Sequence, residues 1–246
     1  MSVFRLENAS FARGKRVLFE NLCFELKEGE ILAILGQNGV GKTTLLNCLM
    51  GLLPLTKGVS LYNEKKIQAY STKELFSIIS YIPQAKNHSL GLCVLDMVIL
   101  GLNTEISTLP KKEHIQKATL CLENLGFSHL IKRTCDSLSG GELQMVIFAR
   151  ALVNEPKIII LDEPESNLDF KNQLCIIENL SKLKEEKKII IFNTHYPQNA
   201  KKLADKVLIL EKKGHALGDK SLINKAQLGK SFEVKSSFFD YLAGLD

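Results

Sequence analysis

Gly36-Gln37-Asn38-Gly39-Val40-Gly41-Lys42-Thr43 follows the apolar run Ile31-Leu32-Ala33-Ile34-Leu35 and precedes Thr44-Leu45-Leu46-Asn47-Cys48-Leu49-Met50. The order reads as strand, glycine-rich loop, helix. The octet fits Gly-x-x-x-x-Gly-Lys-Thr. In that pattern glycines let backbone N–H groups wrap closely around phosphate oxygens, and the following helix turns its positive dipole end toward them. On this reading Lys42 reaches the β and γ phosphates of a nucleoside triphosphate, Thr43 offers its hydroxyl to Mg2+, and Thr44 opens the helix beside them. The alternative is a glycine-rich turn that only caps a helix. A strand before the octet and a helix after it favour the phosphate reading.

Two later runs repeat the apolar signal. Ile158-Ile159-Ile160-Leu161 ends in Asp162-Glu163-Pro164, and Ile189-Ile190-Ile191-Phe192 ends in Asn193-Thr194-His195. Strands that are apolar throughout belong in a parallel sheet covered on both faces, where ligands bind outside the carboxyl ends of the strands. The three polar turns are therefore expected on one edge of one sheet. There Asp162 would hold the metal, directly or through water, and Glu163 would polarise the attacking water as general base. An isolated Asp-Glu-Pro is more often an ordinary acidic turn, and a lone histidine is more often structural. Beside a phosphate cradle the same residues read as catalytic, with His195 near the γ-phosphate.

Away from these turns the pattern changes. Residues 3–11 and 22–28 alternate apolar and polar residues like half-buried strands, which predicts an N-terminal antiparallel layer. From about Asn87 to Asn154 the chain reads as helices over 94–100, 111–125 and 141–153, punctuated by Leu109-Pro110 and Gly126. The predicted organisation is a core of residues 1–86 and 155–215, a helical insertion over 87–154, and a weakly patterned tail over 216–246. No internal repeat or low-complexity segment interrupts this order.

Composition narrows the class. A chain of 246 residues with 45% hydrophobic and 24% charged residues is in the range of an ordinary globular protein. No stretch approaches the roughly 20 apolar residues of a spanning helix. The start, Met1-Ser2-Val3-Phe4-Arg5-Leu6-Glu7, has no basic cap followed by an apolar run, so no export signal is read and an intracellular place is expected. Six cysteines without a Cys-x-x-Cys pair argue against zinc and against a disulfide scaffold, and predict reduced thiols mostly in the core. The net charge of +5 is modest, and Lys182 to Lys188 mixes both signs, as a solvated helix end does. No nucleic-acid partner is inferred.

Leu138-Ser139-Gly140-Gly141-Glu142 is, by physics alone, a serine N-cap with two glycines, fit for a plain helix start or an anion site. Its company is more specific. With the cradle, Gln84, Asp162-Glu163, Ser166-Asn167-Leu168-Asp169 and His195 in this order, the chain resembles the nucleotide-binding domain of the ABC ATPases over nearly its whole length. The resemblance implies an α/β fold with a P-loop NTPase (RecA-like) core, an N-terminal antiparallel β subdomain and an inserted α-helical subdomain. It implies ATP and Mg2+ as ligands, with Gly36 to Thr44 on the phosphates and Thr43, Asp162 and Gln84 around the metal. It also implies a head-to-tail homodimer in which Ser139, Gly140 and Gly141 bind ATP held by the opposite subunit, with Asp169 at the same interface. Arg13 stands where many members have an adenine-stacking aromatic. A guanidinium can also stack on a base, and nearby Phe11 is the alternative.

Three further stretches resemble one branch of that family: Tyr81-Ile82-Pro83-Gln84, Val94 to Gly101, and Leu168-Asp169-Phe170-Lys171-Asn172-Gln173. The branch contains the ATPases of importers for iron–siderophore complexes, haem, cobalamin and, in some members, molybdate. It implies integral membrane permease subunits docking near Gln84 and the helical subdomain, an extracytoplasmic binding protein, and a peripheral position on the cytoplasmic face of the cell membrane. A soluble ABC ATPase acting on ribosomes or DNA is a competing reading, but such proteins typically carry two nucleotide domains or long insertions, which this chain does not have. An exporter ATPase is the other.

Overall fold

The computed structural model describes residues 1–84, 91–106, 108–166 and 168–240. Its main elements begin with β1 (Val3–Arg13), β2 (Arg16–Lys27), β3 (Ile31–Gly36), α1 (Lys42–Leu49), β4 (Lys57–Tyr62), β5 (Lys65–Lys66), α2 (Thr72–Ile78) and β6 (Ile79–Ile82). Helices α3 (Val94–Ile99), α4 (Lys112–Asn124) and α5 (Gly140–Leu152) follow, then β7 (Ile158–Asp162), α6 (Phe170–Glu185) and β8 (Ile189–Asn193). The chain ends with α7 (Pro197–Leu203), β9 (Lys206–Glu211), β10 (Gly214–Gly218) and α8 (Lys225–Phe232). By internal contacts the chain divides into two compact units, residues 1–71 with 180–246, and residues 72–179.

In the first unit β1 pairs antiparallel with β2 on one side and β4 on the other, and β4 with β5. The alternation in β1 buries Phe4 and Leu6 while Arg5 and Glu7 stay accessible. A second sheet places β3 between β8 and β9, parallel to both, with β10 antiparallel at the edge of β9. Every residue of β3 and β8 is buried, as are Val207 to Leu210 of β9. That matches the rule that a parallel strand covered on both faces is apolar throughout.

The second unit pairs β6 parallel with β7 and packs α2 and α5 against β6. The predicted helices over 94–100, 111–125 and 141–153 correspond to α3, α4 and α5. This unit also contains α2, both strands and the start of α6, so it is larger than the helical stretch 87–154. The described part of the tail, residues 216–240, carries α8. Here α8 packs on β9, with Leu228 fully buried.

The cysteine expectation holds in one respect and fails in another. All six thiols are free. Only Cys48 and Cys135 are buried, whereas Cys23 and Cys93 are exposed and Cys121 and Cys175 half-exposed. Cys23 lies on the outward side of β2, beside Asn8, because the alternation that buries Leu22 and Phe24 turns the residue between them out.

Candidate functional site

Strand β3 delivers the chain to Gly36 with φ at 147°. A Cβ there would lie 2.5 Å from the Leu210 carbonyl oxygen of β9, so the first glycine is required by the close approach of a neighbouring strand. Gly41 caps α1 in the left-handed region at φ 119°, a conformation that glycine adopts freely. The Val40 side chain is buried and fixes the loop from beneath, leaving its backbone for any ligand. Lys42 is also buried, and its Nζ donates to the carbonyls of Gly36 at 2.8 Å and Gln37 at 3.3 Å. The ammonium is thus drawn across its own loop. Asn38, Gly39 and Thr43 are exposed, and Thr44 is half-buried.

Two contacts to this loop were not singled out in the sequence. Arg16 Nη2 donates to the Gly39 carbonyl at 2.9 Å, and Gln37 Nε2 donates to the Ser231 carbonyl at 3.3 Å. Arg16 stands opposite Arg13 at the end of the β1–β2 hairpin, and both are exposed. Phe11 stacks on Phe19 with ring centroids 6.1 Å apart, which occupies one face of its ring and leaves Arg13 the more accessible candidate for a base. His195 follows β8, whose Asn193 is level with Ile34 of the parallel strand β3. His195 and the phosphate loop therefore leave the same edge of that sheet. Next to it, the Thr194 hydroxyl accepts from the Tyr196 N–H at 2.9 Å, and Pro197 opens α7.

In the second unit, β6 and β7 bring Gln84 and the Asp162-Glu163 pair to neighbouring strand ends. Asp162 is 8% exposed and accepts a hydrogen bond from the Tyr81 hydroxyl at 3.1 Å. Burial, and after it the Asp162 charge, push the Tyr81 ionisation well above the ordinary phenol range, so Tyr81 stays a donor. Glu163 takes a left-handed backbone at φ 51°, which costs a non-glycine residue about 1 kcal/mol. Its carboxylate accepts from the Ser166 hydroxyl at 3.2 Å. Just before Gln84, the Pro83 carbonyl accepts from Gln144 of α5 at 3.3 Å.

Helix α5 begins with a complete capping box. Ser139 Oγ accepts from the Glu142 N–H at 3.2 Å, and Glu142 returns a carboxylate to the Ser139 N–H at 2.8 Å. That backbone bond leads the effects holding the Glu142 carboxyl below its usual range, with Arg133 at 2.6 Å adding to it. The two glycines differ. A Cβ on Gly141 would lie 2.8 Å from Asn172 Nδ2 and 3.5 Å from Leu168 Cδ2, whereas a Cβ on Gly140 would meet nothing within 4 Å. A Cβ on Gly141 thus displaces only the end of the Asn172 side chain, and one on Gly140 displaces nothing in its own unit. Asp169 is exposed and caps α6 by accepting from the Asn172 N–H at 2.8 Å. Asn167, between these residues, lies outside the described residues.

The donors expected around Mg2+ are a carboxylate, a hydroxyl and an amide oxygen, the hard oxygen set that this ion prefers. Among the described residues no cluster of three or more His, Cys, Asp or Glu could hold a metal unaided. Oxygen donors of these kinds suit Mg2+, which commonly takes one or two carboxylates and completes its shell with water and substrate phosphates.

Residues 19–166 match the family model for the ABC transporter. The chain belongs to the ABC transporter ATPases. Among these ATPases it is 35% identical to the molybdate import ATP-binding protein MolC of Haemophilus influenzae, over 98% of this chain and 95% of that one. It is also 35% identical to an ATP-binding protein of Helicobacter pylori assigned to iron chelatin transport, over 86% of this chain and 84% of that one. A solved ABC transporter assigned to the metal-chelate type, in an inward-facing conformation, matches with a TM-score of 0.83 and 35% identity, covering 94% of this chain and 89% of that one. The fold is accordingly the mixed α/β ABC cassette, with its antiparallel β part and a parallel sheet with helices. Among the described residues no helix is long and apolar enough to cross a membrane.

Proposed function

We propose that this ABC ATPase powers an importer for a metal chelate, such as an iron–siderophore complex, haem or cobalamin, or for an oxyanion such as molybdate. The names of its relatives, molybdate import and iron chelatin transport, support that range of cargo. The observation that carries the reading is the phosphate loop itself, closed at Gly36 by the approach of the Leu210 carbonyl and crossed by the buried Lys42 ammonium.

In this proposal Gly36, Gln37, Asn38, Gly39, Val40 and Gly41 present backbone N–H groups to the triphosphate, with Thr43 and Thr44 at the helix start. Lys42 neutralises the β and γ oxygens. Arg13 stacks on adenine. Thr43, Asp162 and Gln84 hold Mg2+, which when bound neutralises charge on the β and γ phosphates. Glu163 orients the attacking water and accepts its proton, while His195 donates to the γ-phosphate. Phosphoryl transfer depends mainly on positioning and charge neutralisation, so this set suffices.

Ser139, Gly140 and Gly141 complete the site on ATP held by a second copy of the chain, with Asp169 beside them. ATP thereby biases a two-state dimer toward closure. Residues 87–154 act as the helical subdomain on the core 1–86 and 155–215, and the permease subunits dock near Gln84 at the cytoplasmic face of the membrane. An extracytoplasmic binding protein delivers cargo.

The test is to reconstitute the chain with its membrane subunits in vesicles and compare uptake of ferric siderophore, haem, cobalamin and molybdate. One cargo should enter only with ATP, and Lys42→Ala should abolish uptake. Copurification with ribosomes or DNA in place of membrane subunits would overturn the proposal.

A further inference from the structure

The tip of the phosphate loop has no packing of its own. Asn38 and Gly39 are both exposed, Gly39 takes a left-handed φ of 73°, and a Cβ on it would meet nothing within 4 Å. Glycine adopts either sign of φ freely, so sterics alone do not choose which way the Gly39–Val40 peptide faces. Two hydrogen bonds choose it. The Gly39 carbonyl accepts from Arg16 Nη2 at 2.9 Å, and the Val40 N–H of the same peptide donates to the Gln37 carbonyl at 3.4 Å. The C=O and N–H of a trans peptide point in opposite directions, so the guanidinium draws the carbonyl out of the loop and leaves the N–H turned into it. In the reversed peptide the carbonyl oxygen would face the loop interior and repel an anion held there.

Strand β2 is shaped to reach this loop. Between the pairs Phe11–Phe19 and Ala12–Val17 it carries one extra residue, Leu18, and a bulge of that kind re-aims side chains. Leu18 is buried, and a Cβ on Gly41 would lie 3.3 Å from the Leu18 Cβ. The start of β2 thus meets the loop at Gly41 through Leu18 and at Gly39 through Arg16. Lys15 is an exposed cation one residue away, yet among the described residues its side chain makes no hydrogen bond or ion pair. Arg16 is therefore distinguished from its neighbour by its contact, not by its charge.

We propose that Arg16 is a positioning residue for nucleotide binding, which holds the Gly39–Val40 peptide with its N–H inward and so sets the affinity for ATP. The proposal rests on the reading that residues 36–43 hold the triphosphate. Arg16 acts through the Gly39 carbonyl, takes no part in holding the metal or moving a proton, and leaves the turnover of bound ATP to Glu163.

The experiment uses the full chain and reads ATP affinity by equilibrium binding, turnover at saturating ATP, Tm, and hydrogen exchange of the Val40 amide without nucleotide. Arg16→Ala should weaken ATP binding about three- to tenfold with turnover unchanged, as expected for loss of one solvent-exposed hydrogen bond. The Val40 amide should exchange about threefold faster or more, and Tm should stay within about 2 °C because the contact lies at the surface. Lys15→Ala removes the same charge from the adjacent position without touching the loop, and should change affinity less than about twofold. Arg16→Lys keeps a cationic donor for the carbonyl and should recover most of the affinity. Unchanged ATP affinity in Arg16→Ala would overturn the proposal. Equal losses in Arg16→Ala and Lys15→Ala would do the same, because they would reduce Arg16 to part of a general positive field. Normal ATP binding by Lys42→Ala would overturn the phosphate-loop reading itself, whereas the Val40 exchange rate tests the Arg16 contact with no nucleotide present.

Discussion

Replacing Gly140 by alanine separates the fold from the function. The added methyl meets nothing within 4 Å, and Gly140 is the first residue of α5 with no left-handed φ to preserve. No crowding opposes the change, and alanine loses less backbone freedom on folding. The gain is up to about 1 kcal/mol, or roughly 2–4 °C in Tm for a chain of this size. If Gly140 presents its N–H to the γ-phosphate held by a second copy, a bound oxygen would sit about 2.9 Å from the nitrogen, and the methyl would intrude on that approach. Loss of one such donor should slow hydrolysis about 100- to 1,000-fold.

The assay is steady-state ATPase with parallel thermal melts, plus sedimentation of the same change in a Glu163→Gln background with ATP. A more stable, poorly active protein that no longer dimerises is expected. Gly141→Ala must turn the Asn172 amide aside from 2.8 Å, so it should gain less stability than Gly140→Ala. Wild-type turnover in Gly140→Ala would refute the idea that this glycine exists to admit a ligand. A fall in its Tm would refute the packing argument.

Further outcomes follow from the same geometry. Glu163→Gln should keep ATP binding and slow hydrolysis about 100- to 10,000-fold in single-turnover assays, because the side chain keeps its shape and loses its basicity. Tyr81→Phe removes the donor to Asp162 and should raise the Mg2+ concentration needed for half-maximal ATPase about tenfold; an unchanged Mg2+ titration would detach Tyr81 from the metal site. The Glu142 carboxyl is depressed in the folded state, so its stabilisation is present above the ordinary carboxylate range of about 4.3 and is lost as pH falls through the lower folded value. Glu142→Gln keeps an acceptor for the Ser139 N–H, so its melting deficit at pH 7, about 0.5 kcal/mol, should vanish as pH is lowered below 4. Fast maleimide labelling at neutral pH should reach Cys23 and Cys93 and spare Cys48, Cys121 and Cys135, because burial protects Cys135 and pushes the thiols of Cys48 and Cys121 up to about 11 and about 12.

The legible part of the site is the part that is local in sequence. A buried parallel strand, a glycine loop and a helix N-terminus occupy consecutive residues, so residues 31–49 announce themselves, and the capping box of Ser139 and Glu142 does so within four residues. The contacts that were not legible join distant residues: Arg16 to Gly39, Tyr81 to Asp162, and Gln37 to Ser231. Nothing in a single sequence marks such pairs, because each partner is chemically ordinary at its own position. Strand β6 is only four residues long and mixes buried and half-buried positions, which leaves too little periodicity to read. Strand β9 is different: Val207-Leu208-Ile209-Leu210 carries the same wholly apolar signal as β7 and β8 but ends without a catalytic residue. No polar turn marks β9 in the sequence, although it is the strand that crowds Gly36.

The stretch Val94 to Gly101 shows where resemblance and function part. Its resemblance to one importer branch suggests cargo, yet most of it has a packing explanation. Val94, Met97, Val98 and Ile99 are buried, and a Cβ on Gly101 would lie 2.0 Å from the Arg150 carbonyl and 2.6 Å from Val153 Cγ1. No flexible side chain can yield there, so Gly101 is fixed by the approach of α5. These residues would persist in any relative that packs this segment on α5 in this way, whatever it transports. The positions a partner could read are those left open, Asp96 and Leu100, one helical turn apart, with Leu100 52% exposed. A leucine that half-open contributes little to its own core, so its identity is the part of this stretch that packing does not dictate.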